Sequence, residues 1–567
     1  MKYLLATFFI VVTFISAINA QSSGSNNSVY VINDSVSIPT RDGSYISATI
    51  VRKQSISFPL PAVLFYTTYY QGKTDDYFAK VSADKEYVGI VAYARGIRAD
   101  LKNYTPYAHE GTDVYDIIEW ISNQSWCNGS VGMYGGSYTG FSQWATAKNI
   151  HPALKTIVPQ VAVMPGFDTP MENNVEMNLG LYWPNDNIYK RQPISNSLPF
   201  VWFEKGLAWS KLDSLAGIEN AIFQHWLEHP AYDDYWQSLV PTADEYAKIN
   251  IPVLTTTGYY DGAQIGALQY YKLHTQYNKN AKHYFVIGPY DHWGGQRKAA
   301  KTLMGYDIDN VANINMMDLA YQWLDYVLKD KPKPEILKDK FNYQVMGSNE
   351  WKHAPSLQTI NNDTLTFYLH NSELTPTRPE ANGFTPQTVD FNDRENQNNY
   401  FTPLIVFDSL EASNGLIFTT KPFETTFCIN GSFTGNLSVS INKLDMDVSL
   451  ALYEQMPDGK YFFLTRYVGR ASFAKDNSKR QLLHPQQNEH IPFFNTRFVS
   501  KKISRGSRLV VLLNINKHPF EIINYGSGKK VADETIHDAA EPLKIEWHND
   551  SFIQIPVWKT PSDDKKQ

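Results

Sequence analysis

The chain has 567 residues, 43% apolar and 19% charged, which makes it globular and too long for one core, so two to four domains are expected. Its net charge of -6, with no basic run, excludes nucleic acid and an anionic membrane surface as expected partners. Two cysteines, Cys127 and Cys428, exclude a disulfide scaffold, and free thiols are expected; no Cys/His cluster has zinc spacing, so neither metal nor organic cofactor is called for.

Residues 1–20 read as a secretory signal peptide, with Lys2, an apolar run from Leu4 to Ile15, and small residues up to a cleavage point after Ala20. The expectation is an exported protein, periplasmic or secreted, with no membrane span after cleavage. From residue 29 to about 150 the pattern is strands, then strand–helix units. Val36 to Ile38 and Ser47 to Arg52 flank an Asp42-Gly43 turn, and Ala62 to Tyr66 and Val88 to Ala94 are short apolar runs. Asp113 to Asn123 places Val114, Ile117, Ile118 and Ile121 on one helical face. Between 151 and 249 the strand signal fades and a helical cap is expected, with helices over Val201 to Ser214 and Asn220 to Glu228. Strand–helix alternation resumes from 250 to 330, with strands at Ile251 to Thr257 and Lys282 to Ile287. After the Pro/Lys linker ending at Pro334, short alternating strands from Phe341 to Val557 read as a β-sandwich over 335–560.

The densest signal is Val131 to Gly140, where an apolar run breaks into Gly135-Gly136-Ser137-Tyr138-Thr139-Gly140 ahead of a helix-compatible stretch. A sharp strand–turn–helix of this kind lifts a serine hydroxyl clear of a sheet. Gly140 comes one place later than in Gly-x-Ser-x-Gly, and a glycine-rich loop is the competing reading. A serine nucleophile needs a base and an acid to orient that base. In doubly wound hydrolases these follow as Ser…Asp…His, each past a strand end. Asp261 follows the strand at Val253 to Thr257, and His292 follows the strand at Tyr284 to Ile287. Asp291 competes as the acid, but neighbouring side chains in an extended loop point apart, which favours Asp261.

These residues resemble the cocaine-esterase-like (CocE/NonD) branch of the α/β-hydrolases, which includes X-prolyl dipeptidyl-peptidases, α-amino-acid ester hydrolases and cephalosporin acylases. The likeness covers Arg41-Asp42-Gly43, Trp120 to Gly140, Gly258 to Asp261, Gly288 to His292, Trp323 to Lys329 and Val345 to Trp351. It implies an α/β fold: an α/β-hydrolase core (29–150 plus 250–330), a helical cap inserted at 151–249 and a C-terminal β jelly-roll domain (335–560). It also implies an oxyanion hole made of the Tyr138 N–H and a tyrosine hydroxyl, for which Tyr69 is the choice and Tyr66 and Tyr70 the rivals. α-Amino-acid ester hydrolases place carboxylates just after the triad aspartate to bind an ammonium. Here Gly262-Ala263-Gln264 stand there, leaving Asp168 and Glu172 of the cap as substitutes. Trp183, Trp202 and Trp209 are expected to line the acyl pocket or to form cap core. The function expected is that of an exported serine acyl hydrolase cleaving ester or amide/peptide bonds, of X-Pro dipeptidyl-peptidase or acyl esterase type. Its partner is a small ester, amide or short peptide, and a homo-oligomer is left open. A β-lactam or amino-acid ester acylase, and a non-catalytic glycan-binding protein on a hydrolase scaffold, are the alternatives.

Overall fold

The computed structural model describes residues 29–559 except 71, 73–75, 99–103, 380–382 and 399–403. The expected signal peptide lies outside the described residues. A ten-stranded sheet organises the first part of the chain. Its strands are β1 (Tyr30–Pro39), β2 (Tyr45–Lys53), β3 (Leu60–Thr67), β4 (Val88–Tyr93), β5 (Cys127–Gly136), β6 (Leu154–Gln160), β7 (Val253–Gly258), β8 (His283–Gly288), β9 (Phe341–Val345) and β10 (Glu350–Ala354). They lie in the order β1-β2-β4-β3-β5-β6-β7-β8-β9-β10. Pairing is parallel from β4 through β3 to β9 and antiparallel at both edges. Helices α1 (Tyr77–Asp84), α2 (Glu110–Ser122), α3 (Tyr138–Thr146), α4 (Gln264–Tyr277) and α5 (Met316–Lys329) cover the two faces. Because both faces are covered, the inner strands are buried along most of their length rather than alternately; every residue of β4 and of β7 is buried. Gly89 in β4 lets α1 close on the sheet, since a Cβ there would sit 2.0 Å from the Ala79 carbonyl oxygen.

Two expected boundaries move. The cap was expected from 151, but Leu154–Gln160 is a central strand, paired in parallel with β5 and β7. Pro159 hides it, because proline in a run argues against a central strand. Phe341–Val345, assigned from sequence to the β-sandwich, instead extends the ten-stranded sheet beside β8.

The cap therefore spans about 161–250. Its helices include Leu198–Lys205, Ala221–Leu227, Asp234–Ser238 and Ala243–Lys248. The helix expected over Val201 to Ser214 stops at Gly206, which is left-handed (φ 57°) and packs against Ile536 of the C-terminal half. From Asp363 to Trp558 the chain is β-rich, with a 14-stranded sheet system among the described residues. Buried ion pairs join this domain to the cap. Arg497 forks onto Glu172 with two 2.6 Å bonds. Arg470 bonds Asp447 at 2.9 Å and reaches Glu176 at 3.4 Å. Cys127 and Cys428 are both free thiols.

Candidate active site

β5 ends in Gly135-Gly136 and α3 begins at Tyr138, so Ser137 occupies the turn between them with φ 62° and ψ -125°. A non-glycine residue held there costs about 1–3 kcal/mol of strain. Its N–H donates to the Gln160 carbonyl at 3.0 Å. The flanking glycines are demanded by crowding. A Cβ on Gly135 would lie 2.3 Å from Thr139 Cγ2, and one on Gly136 would lie 2.2 Å from Gln296 Oε1. The late Gly140 has its own reason: a Cβ there would meet Ala162 Cβ at 2.8 Å, so this glycine lets α3 pack against the chain leaving β6.

Asp261 and His292 come together from the loops after β7 and β8, which pair in parallel up to Gly258 and Gly288. The His292 Nδ1 to Asp261 Oδ1 distance is 2.7 Å. Asp261 is wholly buried, and its carboxylate accepts two more bonds, from Thr257 Oγ1 at 2.7 Å and the Ala263 N–H at 3.0 Å. Asp291, the rival acid, turns away to cap the main-chain N–H groups of Trp293 and Gly294 at 3.1 and 2.7 Å. Gln296, which the sequence reading passed over, donates to the His292 carbonyl at 2.9 Å while its Oε1 packs on Gly136. It braces the histidine loop against the serine turn.

Of the three candidate tyrosines, Tyr69 reaches the serine. Its hydroxyl is hydrogen-bonded to the Ser137 side chain and to the Tyr138 main-chain N–H, and it accepts the Trp183 indole N–H at 3.1 Å. Burial raises the Tyr69 hydroxyl above its ordinary range, so it stays protonated and able to donate. Tyr70 instead stacks beneath the Arg98 and Lys190 cations, and Tyr66 is sealed in the core.

The pocket candidates divide. Trp183 stands at the site, stacked on Tyr107 at 5.9 Å and 7°. Trp202 and Trp209 pack edge to face at 4.7 Å with 1% of each exposed, so they are cap core and present no surface to a ligand. Asp168 is 1% exposed and accepts the main-chain N–H groups of Met164 at 2.8 Å and Gly266 at 3.0 Å. Burial pushes its carboxyl well above the usual range. With Glu172 held by Arg497, both cap carboxylates proposed for an ammonium are already engaged inside the protein. Among the described residues no group of His, Cys, Asp and Glu side chains is arranged to hold a metal.

A family model for X-Pro dipeptidyl-peptidase (S15 family) matches residues 42–294, and one for the X-Pro dipeptidyl-peptidase C-terminal non-catalytic domain matches residues 329–495. The chain is similar to cocaine esterase of Rhodococcus sp., with 22% identity over 593 aligned positions, covering 94% of this chain and 99% of that protein. Its fold matches that of an aminopeptidase from the marine sediment archaeon Thaumarchaeota archaeon, with TM-score 0.83 and 20% identity over 96% of this chain and 99% of the other. It also matches the fold of an α-amino acid ester hydrolase, with TM-score 0.80 and 20% identity over 95% and 98% of the two chains.

Proposed function

We propose that this chain, which is a serine hydrolase of the CocE/NonD family, works by acyl transfer through Ser137 on ester or amide substrates and acts after export. The observation that carries the reading is the convergence of four loops, those after β3, β5, β7 and β8. They bring the Tyr69 hydroxyl to the strained Ser137 and pair His292 with Asp261, while Gln296 ties the His292 loop to Gly136 beside the serine.

In this mechanism Ser137 Oγ adds to the substrate carbonyl carbon while His292 Nε2 takes its proton. The Asp261 carboxylate accepts the Nδ1–H, holds the tautomer and stabilises the imidazolium. The carbonyl oxygen becomes an oxyanion between the Tyr138 N–H and the Tyr69 O–H, displacing the bond these two make with each other. Collapse expels an alcohol or amine that takes the proton back from His292. Water, activated by the same imidazole, then frees the acid from the acyl-enzyme.

Among the substrates of this class, esters are the better fit. A dipeptidyl-peptidase needs a carboxylate free to hold its substrate's N-terminal ammonium. Asp168 and Glu172, the two cap acids considered for that task, are buried and engaged. The test is labelling with a fluorophosphonate, followed by turnover of p-nitrophenyl butyrate against Ala-Pro-p-nitroanilide. Labelling should vanish in Ser137→Ala, which should also lose on the order of 10⁶ in kcat. Labelling that survives this change defeats the reading, and turnover of the dipeptide alone reverses the substrate assignment. Export rests on the leader read in residues 1–20 and is tested by fractionating cells that express the full chain. Full-length protein retained in the cytoplasm refutes it.

A further inference from the structure

Glu110 opens α2 and is 2% exposed, yet no step of the chemistry above uses it. Its carboxyl accepts the main-chain N–H of Tyr107 and of His109, each at 3.0 Å, and the Tyr138 phenol O–H. Tyr138 is the residue whose main-chain N–H faces the oxyanion. From the Tyr138 phenol a hydrogen bond continues to Tyr104, and the Tyr104 hydroxyl receives Thr68 Oγ1–H at 3.0 Å. Thr68 directly precedes Tyr69, the other oxyanion donor. A second path leaves Glu110 through Tyr107, whose ring lies flat on Trp183, which in turn donates to the Tyr69 hydroxyl. One buried carboxyl is thus tied to both donors from behind.

Resting on the acyl-transfer reading, we propose that Glu110 is the positioning residue of the oxyanion hole and that its carboxylate form keeps Tyr138 and Tyr69 in place. The carboxylate suits its surroundings because all three partners are donors. Once protonated, the carboxyl must itself donate, and the nearest hydroxyl, Tyr138, must turn from donor to acceptor. That reverses the chain through Tyr104 and Thr68.

The groups facing Glu110 are Tyr66 from β3, Tyr104, Tyr107 and His109 from the loop before α2, Tyr138 from α3 and Tyr235 from the cap. Asp113 is one turn along α2 and is held by Arg95. Burial, only partly offset by the Tyr138 bond, pushes the Glu110 carboxyl up to about 7. The folded protein therefore changes its protonation within the working range.

The test is the pH dependence of p-nitrophenyl butyrate hydrolysis by wild type, Glu110→Gln and Tyr138→Phe, with the affinity of each for an alkylboronic acid that mimics the tetrahedral adduct. An oxyanion donor is typically worth roughly 10²–10³ in rate. Loosening both without removing either should lower kcat about tenfold to a hundredfold. KM should stay within about threefold, and boronate affinity should fall in step with kcat. The acid limb of kcat near neutrality should flatten in Glu110→Gln. Tyr138→Phe keeps the main-chain donor and cuts only its tie to Glu110, so it tests the idea even where Glu110→Gln does not fold. Variants that match wild type in kcat, boronate affinity and pH profile overturn the proposal, even if they melt at a lower temperature. Wild type that is not labelled by the fluorophosphonate removes the acyl-transfer reading as well. An active, labelled wild type beside unaffected variants removes this proposal alone.

Discussion

Asp261→Asn separates the two things an acid does for a triad histidine, because the surroundings of Asp261 dictate how an amide would sit. Oδ1 receives both His292 Nδ1–H and the Ala263 N–H, whereas Oδ2 faces only the Thr257 hydroxyl. A main-chain N–H cannot accept, so the amide oxygen of the variant is held on the His292 side and its NH₂ faces Thr257, which rotates to accept. The imidazole keeps its tautomer and loses only the neighbouring negative charge. At an effective dielectric of about 20 a unit charge some 4 Å away is worth about 4 kcal/mol, an upper bound near 10³ in rate. Exchanging a charge-assisted hydrogen bond for a neutral one gives a lower bound of about 1 kcal/mol, roughly fivefold to tenfold. Asp261→Asn should therefore reduce kcat on p-nitrophenyl butyrate by about 10–10³. The corresponding change in chymotrypsin-type enzymes, where the tautomer is wrong, costs about 10⁴. A loss of 10⁴ or more would refute this reasoning, for it would mean that the NH₂ group faces the imidazole.

Three further outcomes follow from the same geometry. Tyr69→Phe should cost about 10²–10³ in kcat with a small change in KM, and Trp183→Phe, which leaves Tyr69 in place but without its indole partner, about tenfold or less. Steady-state kinetics on one ester tests both, and equal losses would contradict the ordering. Thr255, His283, His274 and the Ile249 carbonyl form a buried chain with contacts of 2.9, 3.2 and 3.1 Å, whose Nδ1–Nδ1 link forbids both histidines from being charged at once and is satisfied with both neutral. Burial holds His274 down to about 4 and His283 well below the usual histidine range, so the unfolded chain takes up protons below about 6.5 that the fold refuses. The stability these neutral histidines confer is complete above that pH and is lost as the pH falls towards 4, by about 3 kcal/mol for His274 alone. Urea midpoints measured from pH 7 to 4.5 should show this slope and should flatten in His274→Gln. Glu172→Gln leaves Arg497 buried with its partner's negative charge gone and one of its two acceptors replaced by an NH₂ group, and should destabilise by about 3–5 kcal/mol, read as a lowered thermal midpoint. An unchanged midpoint would show that the pair contributes little.

The proposed triad could be picked out before the structure because Ser137, Asp261 and His292 each sit where a short apolar run ends in a loop, and strand ends are visible in hydrophobic patterning. Tyr69 was identified only among three tyrosines, since nothing local separates it from Tyr66 and Tyr70. What separates them is the Trp183 indole arriving from 114 positions away. Glu110 escaped notice because an acidic residue at a helix start is ordinary, and its burial depends on Tyr104, Tyr107 and Tyr138 closing around it. The cap boundary was misplaced by Pro159, which stands in a strand that is nonetheless paired on both sides, with β5 and β7. Trp202 and Trp209 show the limit of composition: aromatic residues in a cap are equally consistent with a pocket wall and with a core, and here they are core.

Gln264 joins the two halves of the molecule. Its side chain pairs with the main chain of Phe498 as a strand would, donating to the carbonyl at 2.9 Å and accepting the N–H at 2.7 Å. It stands three residues after Asp261, on the same turn. The β-rich domain is therefore part of the scaffold that sets the acid's position, although it contributes none of the reacting atoms. Cutting the chain at the Pro/Lys linker would leave Ser137 and Tyr69 on a sheet shortened by β9 and β10 and would release the aspartate's loop. Such a fragment would keep the nucleophile and lose the alignment that makes it reactive. A replacement C-terminal half would therefore have to reproduce this amide contact along with the Arg497–Glu172 and Arg470–Glu176 pairs.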